Sequence, residues 1–493
     1  MKILKSIIGI LVLGMVLVGC KKDLLEVENP NEPDYEKVLA TASDIEKVTG
    51  GLYNTIFNGE HAFAGVEMML ATGADHVSCS WGNAAMRDMS WEPRNAAWNN
   101  SPAYTNNTFT KYTFDQMYSA IVSASAVIKA INEGVDLGEG KDRAMAFSRF
   151  SQGLAYANLA LVFDKAWIVD EEKTVEESIE SAVDYHAVAT AALGYFDQAI
   201  QHSSTDFDIP ADWMSSGADL TNVQFKEIVN TAAARLMAYL PRNKAELAKV
   251  DWAKVKAYAD GGLTSDWLVT QDNYVKWYFE AGDYLTFNGW GITDMYVVHL
   301  MDPAQPQHWD DSPAFPYPPK STNPPDKRLE TDFEYVPSNW FLAARGYYHF
   351  SNYRMKRYDA IYVNGDGQKA EAMKAENDML RAEARAYAND LQGAADIINA
   401  STRTTRGKLP NVAANLEAII KAIHHERHVE MYTTGMGLQF FEMRKLDLLQ
   451  KGTPLHLPVP AKVLEVFGLP LPYYTFGGVA NADGKGTSAG GWR

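Results

Sequence analysis

The segment His424-His425-Glu426-Arg427-His428-Val429-Glu430 concentrates imidazoles, carboxylates and a guanidinium within two turns of what reads as a helix. Glu426 and Glu430 stand at i, i+4 and share a face, and so do His424 and His428. Three chemistries can use such a set. Arg427 can pair with Glu430 at i, i+3 or reach an acid on another helix, which is structural salt bridging. Paired carboxylates can serve a hydrolase. Carboxylates with two imidazoles can hold a metal. The H-E-x-x-H order of zinc peptidases is absent, because His425-Glu426 leads to Val429 rather than to a second histidine. The spacing therefore favours salt bridging by Glu426, Arg427 and Glu430, with no catalytic residue, no metal and no cofactor expected.

A second group of residues suits recognition rather than reaction. Residues 59 to 113 lose helical periodicity and carry Asp75, Trp81, Asn83, Arg87, Trp91, Trp98 and Tyr104 among Gly, Asn, Ser and Pro. A long loop bearing several tryptophans either pins itself to the body or presents an aromatic platform. The apolar C–H faces of a sugar stack on such rings. On the platform reading, Trp81, Trp91 and Trp98, joined by Trp290 from a later loop region, are the candidate ligand contacts. Asp75, Asn83 and Arg87 are the candidate hydrogen-bonding groups.

A third site is covalent. Lys2 and Lys5 precede an apolar run, Ile7 to Val18, that ends in Leu17-Val18-Gly19-Cys20. This is a secretory signal peptide with the form of a bacterial lipobox, so cleavage leaves Cys20 as a lipid-modified N-terminus. The chain of 493 residues has 45 basic and 62 acidic residues and a formal charge of −17, which loss of Lys2 and Lys5 takes to −19. A duplex-binding protein needs a basic footprint, so nucleic acid is excluded as a partner. With Cys20 assigned to lipid, Cys79 is the one cysteine left and no intrachain disulfide can form. Stability must then come from a large packed core.

The positioning elements read as mainly α. Residues 20–34 form a polar tether after the 1–19 signal, and 35–493 reads as one domain. A first helix opens at Ser43 as N-cap, with Glu46 completing a capping box. Helical spacing recurs over Phe114 to Ile131, Arg143 to Phe163, Val183 to His202, Thr221 to Leu240 and Trp252 to Tyr258. Gly153, Tyr156 and Leu159, then Tyr195 to Ile200, resemble the two halves of a tetratricopeptide repeat. Leu380, Glu383, Ala384 and Tyr387 followed by Ala394, Ala395, Ile398 and Asn399 resemble another, so the repeats are degenerate. The helical body is expected over about 43–58, 114–262 and 371–446. Residues 263–370, rich in aromatics, Gly and Pro, read as an irregular, loop-rich insertion that cannot form regular helices.

Three segments carry a family resemblance. Residues 424–431, then Gly437-Leu438-Gln439-Phe440-Phe441-Glu442-Met443-Arg444-Lys445, then Leu457-Pro458-Val459-Pro460 resemble the C-terminal signature of the SusD/RagB outer-membrane nutrient-uptake lipoproteins. Leu380-Arg381-Ala382-Glu383-Ala384 and Asp326-Lys327-Arg328-Leu329 are similar to upstream family segments, and the lipobox completes the frame. The chain departs from the pattern at Met436, Gln439 and Glu442, where Glu, Arg and Asp are usual, and resembles a divergent member. The resemblance implies a SusD-like α-helical body on tetratricopeptide-like pairs, anchored by lipid to the outer membrane and facing the cell exterior. It implies capture of an oligosaccharide and delivery to a SusC-like TonB-dependent outer-membrane transporter. A peptide ligand is the alternative within that family. A helical glycoside hydrolase is the competing class, and no carboxylate pair for it is identifiable in the sequence.

Overall fold

In a computed structural model the structure describes residues 39–79, 82–92, 94, 98–178, 182–311, 318–338, 349–468 and 486–493. The signal peptide, Cys20, the tether and Trp81 lie outside the described residues. No helix among the described residues is long and apolar enough to cross a membrane.

Among the described residues the first elements are α1 (Ala42–His61), α2 (Glu67–Gly73), the short strand β1 (Val77–Cys79) and α3 (Met86–Ser90). Four long helices follow: α4 (Asn107–Asn132), α5 (Lys141–Val162), α6 (Tyr185–His202) and α7 (Asn222–Tyr239), then α8 (Trp252–Asp260). Their ends are set by side-chain caps. The Asp184 carboxylate accepts from the backbone N–H groups of His186 and Ala187, and Thr221 with Gln224 closes a capping box. The start of α1 differs from expectation: Thr41, not Ser43, is the N-cap, and its hydroxyl accepts from the N–H of Asp44. Two hydroxyl residues lie within one turn there, and the first has the extended backbone that a cap requires.

Helices α5 and α6 pack along their lengths, as the first repeat predicts. Gly153 makes this possible, since a Cβ there would lie 2.7 Å from Cδ1 of Phe196. The Tyr156 and Tyr195 rings stack at 5.7 Å across the same interface. The later repeat is the packed pair α13 (Lys374–Tyr387) and α14 (Leu391–Asn399), with α13 also against α8.

The 263–370 region is more regular than its composition suggests. It holds β2 (Trp267–Asp272), α9 (Glu280–Thr286), β3 (Gly291–Thr293), α10 (Met295–Met301), α11 (Arg328–Thr331), β4 (Phe333–Tyr335), β5 (Tyr353–Met355) and α12 (Asp359–Asn364). These helices have at most seven residues, fewer than the window in which a 3.6-residue period can be seen. Strand β2 pairs antiparallel with β6 (Asp366–Ala372), burying Trp267, Val269 and Gln271 on alternate positions. The chain continues through α15 (Leu416–Val429) and α16 (Leu438–Lys445). One apolar cluster runs from α1 to Leu464 and takes in residues of both the helical body and this region.

Candidate functional site

The charged segment of α15 is buried and internally satisfied. Arg328, itself inaccessible, grips Glu426 with two nitrogens, Nη1 to Oε2 at 2.6 Å and Nη2 to Oε1 at 2.8 Å. Its Nη1 also donates to Glu430 at 2.9 Å and its Nη2 to Asp326 at 2.7 Å. Arg406 donates to the other Glu430 oxygen at 2.6 Å. Arg427 turns the other way and does not pair with Glu430. It donates at 2.6 Å to Glu383 on α13 and at 2.6 Å to Glu442 on α16, and Lys445 closes the quartet at 2.6 Å to Glu383 and 3.1 Å to Glu442. Burial would raise the pKa of Glu442, but Arg427 and Lys445 outweigh it and hold that carboxyl well below its usual range. The side chain of Gln439 donates to the carbonyls of Arg427 and Met431 at 2.8 Å each, tying α16 to the end of α15.

The separate motifs 326–329, 380–384 and 424–445 thus meet in two buried ion-pair groups on either side of α15, Arg328 with Asp326, Glu426 and Glu430 on one and Arg427 and Lys445 with Glu383 and Glu442 on the other. Glu426 and Glu430 each carry at least two cationic partners, so neither is free to act as a general acid or base. The Tyr296 hydroxyl lies 2.7 Å from Nε2 of His424, whose ring centroid is 4.5 Å from that of His428. His428 is buried against His76, with ring centroids 5.4 Å apart.

The recognition candidates separate sharply. Strand β1 pairs antiparallel with β3 in the register Cys79 to Gly291. This brings Asn83, just beyond the end of β1, to Trp290, just before β3. Both line a cavity of about 170 Å³ with Phe63, Met68, Met86 and Tyr284. Arg87 is exposed on α3 and its guanidinium lies 4.2 Å from the ring centroid of half-buried Trp91. Trp98 is different: it is 2 % exposed and packs edge-on against Tyr104 at 5.2 Å, so it pins its loop and is not part of a platform. Asp75 is also buried, held by the guanidinium of Arg94 and, at 2.7 Å, by the indole N–H of Trp492. A carboxylate so engaged is closed to a ligand.

The structure adds aromatics that the sequence reading passed over. Tyr284 sits with its ring centroid 4.3 Å from that of Trp290, and Phe287 lies 5.3 Å from it on the other side. Tyr274 stacks on Tyr278 at 3.7 Å, and both hydroxyls donate to Asp283, at 3.1 and 2.8 Å. Among the described residues the aromatic side chains left substantially exposed are Tyr274 at 55 %, Phe287 at 48 % and Trp290 at 36 %. All three come from the segment that leads into, contains and follows α9. The cavity beneath Trp290 is below the usual size of a small-molecule pocket, so the feature is an open aromatic face with a shallow recess.

A larger groove, about 1350 Å³, lies elsewhere between α15, α10 and the 410–413 segment. Its walls are largely aliphatic, including Leu247, Leu300, Val412, Leu416, Ile420 and Leu446.

No protein-family model matches the sequence, and no curated protein matches it. Solved structures do match its fold. A SusD superfamily protein from Bacteroides vulgatus is 12 % identical, with a TM-score of 0.57 over 82 % of this chain and 88 % of that one. A SusD-like carbohydrate-binding protein from the same organism is 16 % identical, with a TM-score of 0.56 over 85 % of each chain. A laminarin-binding SusD-like protein is 14 % identical, with a TM-score of 0.52 over 87 % of this chain and 94 % of that one. The helical body, with its small two-stranded sheets, is similar in fold to these proteins.

Proposed function

We propose that this chain is a divergent SusD-family lipoprotein that captures oligosaccharides at the cell surface on the aromatic face around Trp290. The observation that carries this reading is the contact of exposed Trp290 with exposed Phe287 and with Tyr284, on a segment that also exposes Tyr274. Large apolar rings left in water are costly unless they meet a partner. A sugar ring offers apolar C–H faces that match them, with hydroxyls for polar neighbours such as Asn83. Carbohydrate binding is what two of the structurally similar proteins are named for. Binding without catalysis is supported by the pairing of Glu426 and Glu430 with arginines.

The remainder of the reading rests on the sequence. Residues 1–19 are the signal, Cys20 carries the lipid, 20–34 form the tether and 35–493 the binding domain. The bound glycan passes to a SusC-like TonB-dependent outer-membrane transporter on which the helical body docks. Isothermal calorimetry against oligosaccharide and oligopeptide panels tests the ligand class. Binding to an oligosaccharide is expected, and binding to peptides alone overturns the glycan reading. Cys20→Ser should move the protein from the membrane to the soluble fraction, and retention in the membrane contradicts the lipid anchor. Purification from native membranes in mild detergent should bring a large barrel with it, and its absence contradicts the transporter partnership.

A further inference from the structure

Three segments far apart in the chain meet around Glu92, His308 and His349. One carboxylate oxygen and one nitrogen from each imidazole all lie within 4.8 Å of one another. The two imidazole centroids are 4.0 Å apart, and both histidines are buried. Nε2 of His349 is 2.7 Å from Oε1 of Glu92. Yet neither nitrogen of His349, nor that carboxylate oxygen, is in a hydrogen bond. Two buried polar groups that face each other without a hydrogen bond are unsatisfied as they stand. A cation coordinated by both satisfies them once the pair opens to the roughly 3.3 Å that tetrahedral Zn–N and Zn–O bonds of about 2.0–2.2 Å require. In the other such cluster among the described residues, Glu60, His61 and Glu371, the imidazole is satisfied, because each nitrogen of His61 already meets a carboxylate, Glu67 at 2.9 Å and Glu371 at 2.7 Å, and only Oε2 of Glu60 is left without a hydrogen bond.

We propose that Glu92, His308 and His349 form a binding site for a divalent transition-metal cation of the zinc type. Two imidazoles and one carboxylate suit Zn²⁺ and its neighbours, whereas Ca²⁺ and Mg²⁺ take oxygen ligands. Three protein donors leave a further position for water. His308 ligates through Nε2, which is the nitrogen nearer Glu92, at 3.6 Å from Oε2. In the metal-free arrangement Nδ1 accepts from the backbone N–H of Asp310 at 3.2 Å, so ligation through Nε2 moves the proton to Nδ1, where Oδ2 of Asp310, 3.6 Å away, becomes its acceptor. Arg493 holds the place of the ion in the metal-free arrangement. Its guanidinium contacts His308, donates to Glu92 at 2.9 Å and donates to Asp310 at 2.6 Å. Cation and C-terminal arginine therefore compete for Glu92. The bound ion staples the segment after α3, the segment before Asp310 and the segment before β5 to one another.

The test uses untagged protein stripped with EDTA, then titrated calorimetrically with Zn²⁺ and separately with Ca²⁺. Co²⁺ serves as a spectroscopic probe, since its visible bands report imidazole ligation directly. Expected are one Zn²⁺ per chain, visible Co²⁺ bands and no Ca²⁺ binding at the site. The double variant H308Q/H349Q should lose both signals, and R493Q, altered at the exposed terminus, should bind Zn²⁺ several-fold more tightly. Absence of Zn²⁺ binding by the wild-type protein overturns the site without reference to any variant. Undiminished binding in H308Q/H349Q overturns its location, and unchanged affinity in R493Q overturns the competition with Arg493.

Discussion

Replacing Arg427 with methionine tests the buried network at its most enclosed point. The side chains of Arg427, Lys445, Glu383 and Glu442 are each no more than 1 % exposed, and the two bases balance the two acids. Methionine keeps much of the volume and removes the charge. Glu383 and Glu442 are then left with Lys445 alone, and one buried negative charge is uncompensated. Breaking a buried pair in this way costs about 3–5 kcal/mol. Unfolding entropy of about 2.1 cal/mol/K per residue amounts to about 1 kcal/mol/K for a chain of this length, so Tm should fall by roughly 3–5 °C. Adding Glu383→Gln to Arg427→Met restores neutrality and should recover part of the loss. The cycle should give a coupling within about 0.5–3 kcal/mol. Lys421→Met, which breaks an exposed pair with Glu417, serves as the control and should leave Tm unchanged. Differential scanning calorimetry reads all five proteins, the wild type, Arg427→Met, Glu383→Gln, the double variant and the control. A shift for Arg427→Met no larger than that of the control, or additive losses in the double variant, would refute the account of this network.

Other outcomes follow from burial and close approach. Trp98→Ala should destabilise the fold by about 3–5 kcal/mol in urea titrations, whereas a solvent-facing ring would cost little on truncation. Gly153→Val places methyl groups against the Phe196 ring and should cost at least about 1–3 kcal/mol by overpacking; an unchanged midpoint would mean that α5 and α6 do not approach as described. Burial pushes the pKa of His76 down to about 3. The unfolded chain takes up that proton near pH 6.5 while the folded chain refuses it, so the stability it contributes is full above pH 6.5 and is lost as pH falls towards 3. Between pH 6.5 and 5 the loss is about 2 kcal/mol. Glu60, raised to about 8 by burial, acts in the opposite sense over that interval. The measurement is therefore the difference in pH slope between the wild type and His76→Leu, and parallel curves would contradict it.

The long helices were legible because each repeats its apolar face over several turns, and caps such as Asp184 and Thr221 stand next to them in sequence. The repeat pairing was legible through Gly153, a small residue where two helices must touch. Short elements were not: α9 has seven residues, too few to show a period, and the grouping of Tyr284 and Phe287 around Trp290 does not show in the sequence. Their spacing from Trp290, six and three residues, was the available signal. The residue types of the Glu426, Arg427 and Glu430 cluster suggest ion pairing. Their partners did not follow, because Arg328, Glu383 and Arg406 reach them only through tertiary packing. Burial was the least legible quantity. Trp98 and Trp290 both sit in polar, glycine-bearing stretches, and the register of β1 against β3 together with the packing of the C-terminal residues decides that one is a ring in water and the other a peg in the core.

The claim that the Trp290 face binds glycan is tested most directly by one calorimetric comparison. An oligosaccharide that binds the wild-type protein is titrated into Trp290→Ala, with folding checked by Tm. Loss of a stacked aromatic of this kind is worth about 1–3 kcal/mol, so affinity should fall by about 5- to 150-fold at an unchanged Tm. Equal affinity in the two proteins would contradict the account.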